Sequence, residues 1–129
     1  MNKVIFSTIL LGASTLCFGQ IWDYVVGSTA NTQYYLDRTS IRPSGPYISY
    51  TQLSNFQEER KYNNMNLRSM VQSRLADCGA NKFKTIGMIG YSEFDAKGVI
   101  LVVSSNPDRE WVVINMDKIT GDIQREVCR

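Results

Sequence analysis

Leu67-Arg68-Ser69-Met70-Val71-Gln72-Ser73-Arg74-Leu75-Ala76-Asp77-Cys78 is the stretch on which the fold turns. Leu67, Met70, Val71, Leu75 and Cys78 fall at helical spacing, and Met, Gln, Arg, Leu and Ala are good helix formers, so periodicity by itself favours a helix. Read as a strand, the same residues place Leu67, Ser69, Val71, Ser73 and Leu75 on one face and Arg68, Met70, Gln72, Arg74 and Ala76 on the other.

The segments on either side read mostly as strands. Ile21 to Val26 is aromatic and β-branched, Gly27 to Asn31 is a turn, and Gln33 to Asp37 makes a second strand. Arg42-Pro43-Ser44-Gly45-Pro46 is a breaker, after which Tyr47 to Phe56 is a third strand. Gln57 to Asn66 has little to bury and is expected to be a mobile surface loop. Beyond the central stretch, Phe83 to Phe94 carries Gly87 and Gly90 inside an apolar pattern, as a bent or bulged strand does. Asp95-Ala96-Lys97-Gly98 is a hairpin turn, and the continuously apolar Val99 to Val103 is expected to pair with the strand before it and to be covered on both faces, or to lie centrally beneath a helix. After Trp111 to Ile114, Asn115 is placed to cap a last helix running to about Cys128, with Met116, Ile119, Ile123 and Val127 as its apolar stripe. Gly121 inside that helix is expected to cost about 1 kcal/mol relative to Ala.

The whole chain is 129 residues, room for one compact domain. With 43% hydrophobic and 20% charged residues it is too apolar for a disordered chain and too polar for a membrane bundle. It contains no His, which removes the commonest general base and zinc ligand and the usual partner of a Ser or Cys nucleophile. A net charge of +2 does not mark a nucleic-acid binder. No cofactor or metal is expected.

Residues 1–19 have the layout of a secretory signal peptide: Lys3, an apolar run from Val4 to Leu16, then Cys17-Phe18-Gly19. The run is shorter than the about 20 residues of a membrane span, so export and cleavage before Gln20 are expected, leaving residues 20–129 as the mature domain. Leu16 before Cys17 is a poor context for acylation, so a lipid anchor is not expected. Removal of Cys17 leaves Cys78 and Cys128, which in an exported protein allow a single intramolecular bridge. It would close a loop of about 50 residues, contributing about 4 kcal/mol in the chain-entropy model. Two thiolates with no His nearby cannot complete a tetrahedral metal site.

Tyr34-Tyr35-Leu36-Asp37 with Ser40-Ile41, the run Leu67-Arg68-Ser69-Met70-Val71 leading to Cys78, the aromatic-rich stretch to Tyr91 and Gly98, and the closing Glu126-Val127-Cys128 together resemble the bacterial surface-adhesin protein E family. The resemblance spans nearly all of the mature chain. It implies an α+β fold, a small antiparallel sheet of about six strands packed against a C-terminal helix, with the two matching cysteines, Cys78 and Cys128, joined in one disulfide. It also decides the central stretch, because in that family the run leading to the first cysteine is a strand; Leu67 to Asp77 is therefore assigned as extended.

The same resemblance implies an exported envelope or surface protein that binds host extracellular-matrix or plasma proteins, with a basic segment in contact. Arg68 and Arg74 match its basic positions and Lys82 and Lys84 follow nearby, so these four are the candidate partner-binding residues, expected to face solvent close together. The competing reading is a periplasmic domain that binds another envelope protein or a small ligand, since an unanchored protein is free to remain in the periplasm. Cations on a sheet are also an ordinary guard against aggregation. Trp22, Tyr34, Tyr35, Tyr50, Tyr91 and Trp111 read as core. An enzyme without His would rely on carboxylates such as Asp37, Glu93, Asp95 or the Glu58-Glu59 pair; Asp37 is better suited to a turn and the others lie in loops, so no activity is expected.

Overall fold

The computed structural model describes residues 21–27, 31–105 and 110–129. The expected signal peptide and cleavage site lie outside them, as does most of the turn after Gly27. The chain forms β1 (Asp23–Gly27), β2 (Thr32–Ser44), β3 (Tyr47–Tyr62), β4 (Met65–Asp77), β5 (Lys82–Glu93), a 3-10 turn (Phe94–Ala96), β6 (Lys97–Ser105), β7 (Val112–Val113) and one α-helix, here α1 (Ile119–Val127). The strands form one antiparallel sheet in sequence order from β1 to β6, with short β7 paired to β5 beside β6.

The stretch from Leu67 to Asp77 is a strand, β4, flanked by β3 and β5 at the centre of the sheet. Its alternation is clear where it meets the helix: Ala76, paired with Ile48 and Phe83, is fully buried in a core with Leu36, Tyr50, Ile123 and Val127. A second core, of Phe56, Leu67, Met70 and Met88, fills the other end. Leu67 fits there because Gly90 leaves room; a Cβ on residue 90 would lie 2.9 Å from Leu67 Cδ1.

Four expectations are corrected. Gln57–Asn66 is not a loop but the continuation of β3 and β4 as a hairpin reaching past the core, turned by Asn63 and Asn64, both with positive φ (48° and 65°). The breaker is narrower than its composition suggests: β2 runs through Pro43 to Ser44, and only Gly45-Pro46 turn. Pro43 is tolerated because β1 pairs with β2 only from Gln33 to Leu36, leaving no ladder bond on that side for the missing N–H. The helix begins at Ile119, three residues beyond the Met116 expected after an Asn115 cap: Asn115 Oδ1 does accept the Asp117 N–H, but with the Lys118 N–H bonded to the Asn115 carbonyl it closes an isolated turn, and extended Lys118 (φ −104°, ψ 174°) breaks the chain before α1. Gly121 is no weak point: an added Cβ would meet the Met116 backbone, with its Cα at 2.6 Å, so the approach of that turn to the helix requires glycine.

Cys78 at the end of β4 is bonded to Cys128 at the end of α1. Arg38 on β2 bridges Asp23 of β1 (3.4 Å) and Glu126 of α1 (3.6 Å), and the buried Gln124 donates to the Asp77 carbonyl at 3.3 Å. These contacts seat the helix across one half of one sheet face.

Candidate partner-binding site

The four candidate cations come from β4 and β5, and the pleat separates them. Arg74 is paired with Tyr50 and Thr85, in the row next to buried Ala76, and therefore faces the helix side of the sheet. Its guanidinium donates to Thr85 Oγ1 (3.1 Å), Gln52 Oε1 (3.2 Å) and Gln72 Oε1 (3.2 Å) and lies 4.2 Å from the centre of the Phe83 ring. It is half-buried, as Arg68, Lys82 and Lys84 also are, but its guanidinium is turned onto Thr85, Gln52 and Gln72 rather than presented to solvent as expected. Lys82 and Lys84 alternate with Phe83 and Thr85, so they project from the opposite face. There Lys84 aligns with Leu75, Ser49 and Arg42 in one row across four strands, and Lys82 Nζ sits 5.7 Å from the Trp111 ring, itself packed on Tyr47 at 4.7 Å.

Arg68 belongs to neither group. It donates to the Gln57 carbonyl at 2.6 Å, pairs with Glu59 at 3.8 Å and lies over the Phe94 ring at 5.4 Å. With Phe94, Asp95 and Lys97 it lines a shallow depression at the start of β6.

Two of the candidate carboxylates, Asp37 and Asp95, are committed to local structure. Asp37 accepts from the Thr39 N–H (3.0 Å) and hydroxyl (2.6 Å), shaping the irregular stretch of β2 between its two paired segments. Asp95, in the left-handed region at φ 62°, exchanges hydrogen bonds with Asn55 at 2.8 and 2.9 Å and pins the 3-10 turn to β3. Among the described residues no cluster of three or more Cys, Asp or Glu is placed to hold a metal ion, and no helix is long and apolar enough to cross a membrane.

Two features escaped the sequence reading. Val99–Val103 pairs with the preceding strand as expected, but β6 is neither central nor covered: it is the last strand of the sheet, and Val99, Ile100 and Val103 are 65%, 55% and 69% exposed. Only Leu101 and Val102 turn back onto the core. The second feature is a cavity of about 150 Å³ beneath the start of α1, lined by Arg74 with Gln52, Ser54, Gln72, Arg60 and Thr120, and by Tyr34, which thus serves a cavity as well as the core. The signal for it was present in β3, where Gln52 and Ser54 occupy the inward-facing positions between Tyr50 and Phe56.

A disulfide-tied α+β domain whose apolar side chains crowd a sheet edge that no other described residue pairs has the character of an exported binding protein. The family model of surface-adhesin protein E matches residues 22–129, and the chain belongs to that family. No curated protein sequence matches it. Its fold is similar to solved structures of Haemophilus influenzae protein E: one with a TM-score of 0.60 at 16% identity, covering 83% of each chain, and its crystal form II with a TM-score of 0.58 at 14% identity, covering 86% of this chain and 96% of that one. The family match and these neighbours bear out the resemblance read from the sequence, and the sheet, the C-terminal helix and the Cys78–Cys128 bond bear out the fold that it implied.

Proposed function

We propose that this chain is an exported surface adhesin that binds host extracellular-matrix or plasma proteins, and that the contact is made along the β6 edge. The observation that carries the reading is the exposure of Val99, Ile100 and Val103 on a strand with no neighbour on its outer side among the described residues. Unpaired N–H and C=O groups on such an edge accept an extended segment of a partner as an added strand, and flanking apolar side chains give that segment area to bury. Phe94, 40% exposed, extends the apolar surface at the start of β6, and Arg68 and Lys97 beside it supply positive charge to steer an acidic partner. Lys82 and Lys84 add to the field from the sheet face opposite the helix, while Arg74 contributes least because neutral oxygens and Phe83 enclose it.

The mature protein in this proposal begins at Gln20, carries no acyl group and has no enzymatic activity; another envelope protein is the competing partner. Fractionation of producing cells, protease treatment of intact cells and intact-mass analysis of the mature chain test the placement. Binding of the purified protein to immobilised matrix and plasma proteins tests the partner. We expect surface-accessible protein of the unacylated mass and saturable binding to at least one host protein. Protein found only in the periplasm, with no binding across the panel, would overturn the adhesin role.

A further inference from the structure

We propose that the cavity beneath the first turn of α1 is a binding site for a small organic carboxylate, its anionic head paired with Arg74 and its compact apolar body packed among Phe56, Met70 and Ile123. The charge balance motivates this. Arg38, Arg68, Arg125 and Arg129 each pair with a carboxylate, whereas Arg74 has none among the described residues. Arg42 and Arg60 also lack one, but both are exposed and solvated by water. Arg74 is half-buried, and removing a cation from water is costly unless an opposite charge replaces the lost solvation.

Its neighbours do not provide that charge. The oxygens that accept from it, on Thr85, Gln52 and Gln72, are neutral and use three of the guanidinium's five N–H donors. Tyr50 lies beside Arg74, but burial pushes its pKa up, the dominant effect over the lowering by the Arg74 charge, so its hydroxyl stays neutral at pH 7. No Asp or Glu lines the cavity.

The rest of the lining favours an anion with an apolar body. Arg60 adds a second guanidinium at the exposed side, and Ile119 and Thr120 open α1 over the cavity, bringing the positive end of the helix dipole to it. Buried Gln52 and Ser54 supply amide and hydroxyl groups, while Phe56, Met70 and Ile123 supply buried apolar wall. A volume of about 150 Å³ is that of a cavity able to enclose a benzene-sized body. One partly buried guanidinium matches a monoanion; a dianion would bring a second charge with no equally buried counterpart.

Isothermal titration of the oxidised protein with benzoate, benzamide and sulfate tests the site. Benzoate is expected to bind with one-to-one stoichiometry, and benzamide, of the same shape without the charge, at least about tenfold more weakly. Arg74→Gln is expected to weaken benzoate by about tenfold or more. Thr120→Trp, at the half-exposed start of the helix, should fill the cavity and abolish binding with the melting temperature retained, so the test stands even where Arg74→Gln fails to fold. Absence of benzoate binding, equal binding of benzamide, sulfate binding as tight as benzoate, or full binding by Thr120→Trp would each overturn the proposal. Attachment to host proteins through β6 is a separate property, and its failure would leave this result unchanged.

Discussion

The stripe Ile119, Ile123, Val127 of α1 and the run Val99 to Val103 of β6 are both apolar and both read from sequence as buried, yet they end in opposite environments. Ile123 and Val127 are 2% and 3% exposed, wedged against Leu36, Tyr50 and Ala76 beside the disulfide. Val99 and Val103 are two-thirds exposed on the sheet edge. Apolar residues hold the fold at one end of the molecule and, in our proposal, are kept for a partner at the other. Stability and binding should therefore separate under mutation.

Breaking the helix end should have the largest effect. Replacing Cys78 and Cys128 by Ser should cost about 2–5 kcal/mol, read as a fall in the denaturation midpoint. A double variant as stable as the parent would show that the helix docks without its tether. Ile123→Ala, at a position 2% exposed and packed on Leu36, Tyr50 and Ala76, should cost about 2–4 kcal/mol by the same measurement. Gly121→Ala distinguishes packing from propensity: the helix scale expects a gain of about 1 kcal/mol, whereas the Met116 backbone at 2.6 Å from the added Cβ predicts a loss of about 1–3 kcal/mol.

Tyr50 gives the same core a pH signature. Burial raises its pKa in the folded protein, so the folded state keeps the phenol proton to higher pH than the unfolded chain does. This contribution is intact below the unfolded value of about 10 and is lost as pH rises through the folded one. Melting temperatures measured from pH 8 to 11 should fall above pH 10 in the parent and fall less steeply in Tyr50→Phe. The smallest stability effect belongs to the other region: Val99→Thr and Val103→Thr should each change stability by less than about 0.5 kcal/mol. A larger loss in thermal unfolding would mean that the edge is covered in the native protein.

How far the sequence reading reached follows from what each segment buries. The helix stripe was legible because its apolar residues meet a core at the spacing α1 requires. The central stretch allowed two readings because Gln72 and Arg74 occupy inward-facing strand positions beside the cavity, where alternation would place apolar residues. A strand that lines a polar cavity loses the period-2 signal. The β3–β4 hairpin resembled a loop because it projects beyond the core, so Gln57 to Asn66 had nothing to bury; the Asn63-Asn64 turn was its true mark. For β6, apolar composition carries no record of whether the covering surface belongs to the same chain. The four cations could not be grouped from sequence because Lys82 and Lys84 differ in parity along β5 from Thr85, the partner of Arg74, and parity decides the face.

The central claim is that the β6 edge is the contact surface, and a Val99→Lys/Val103→Lys double variant tests it most directly. Its affinity for a host protein that the parent binds should be measured beside its melting temperature. We predict binding at least about tenfold weaker with the melting temperature nearly unchanged, because charges on a free edge block strand addition while exposed positions contribute little to folding. Undiminished binding by a variant of parental stability would contradict the account.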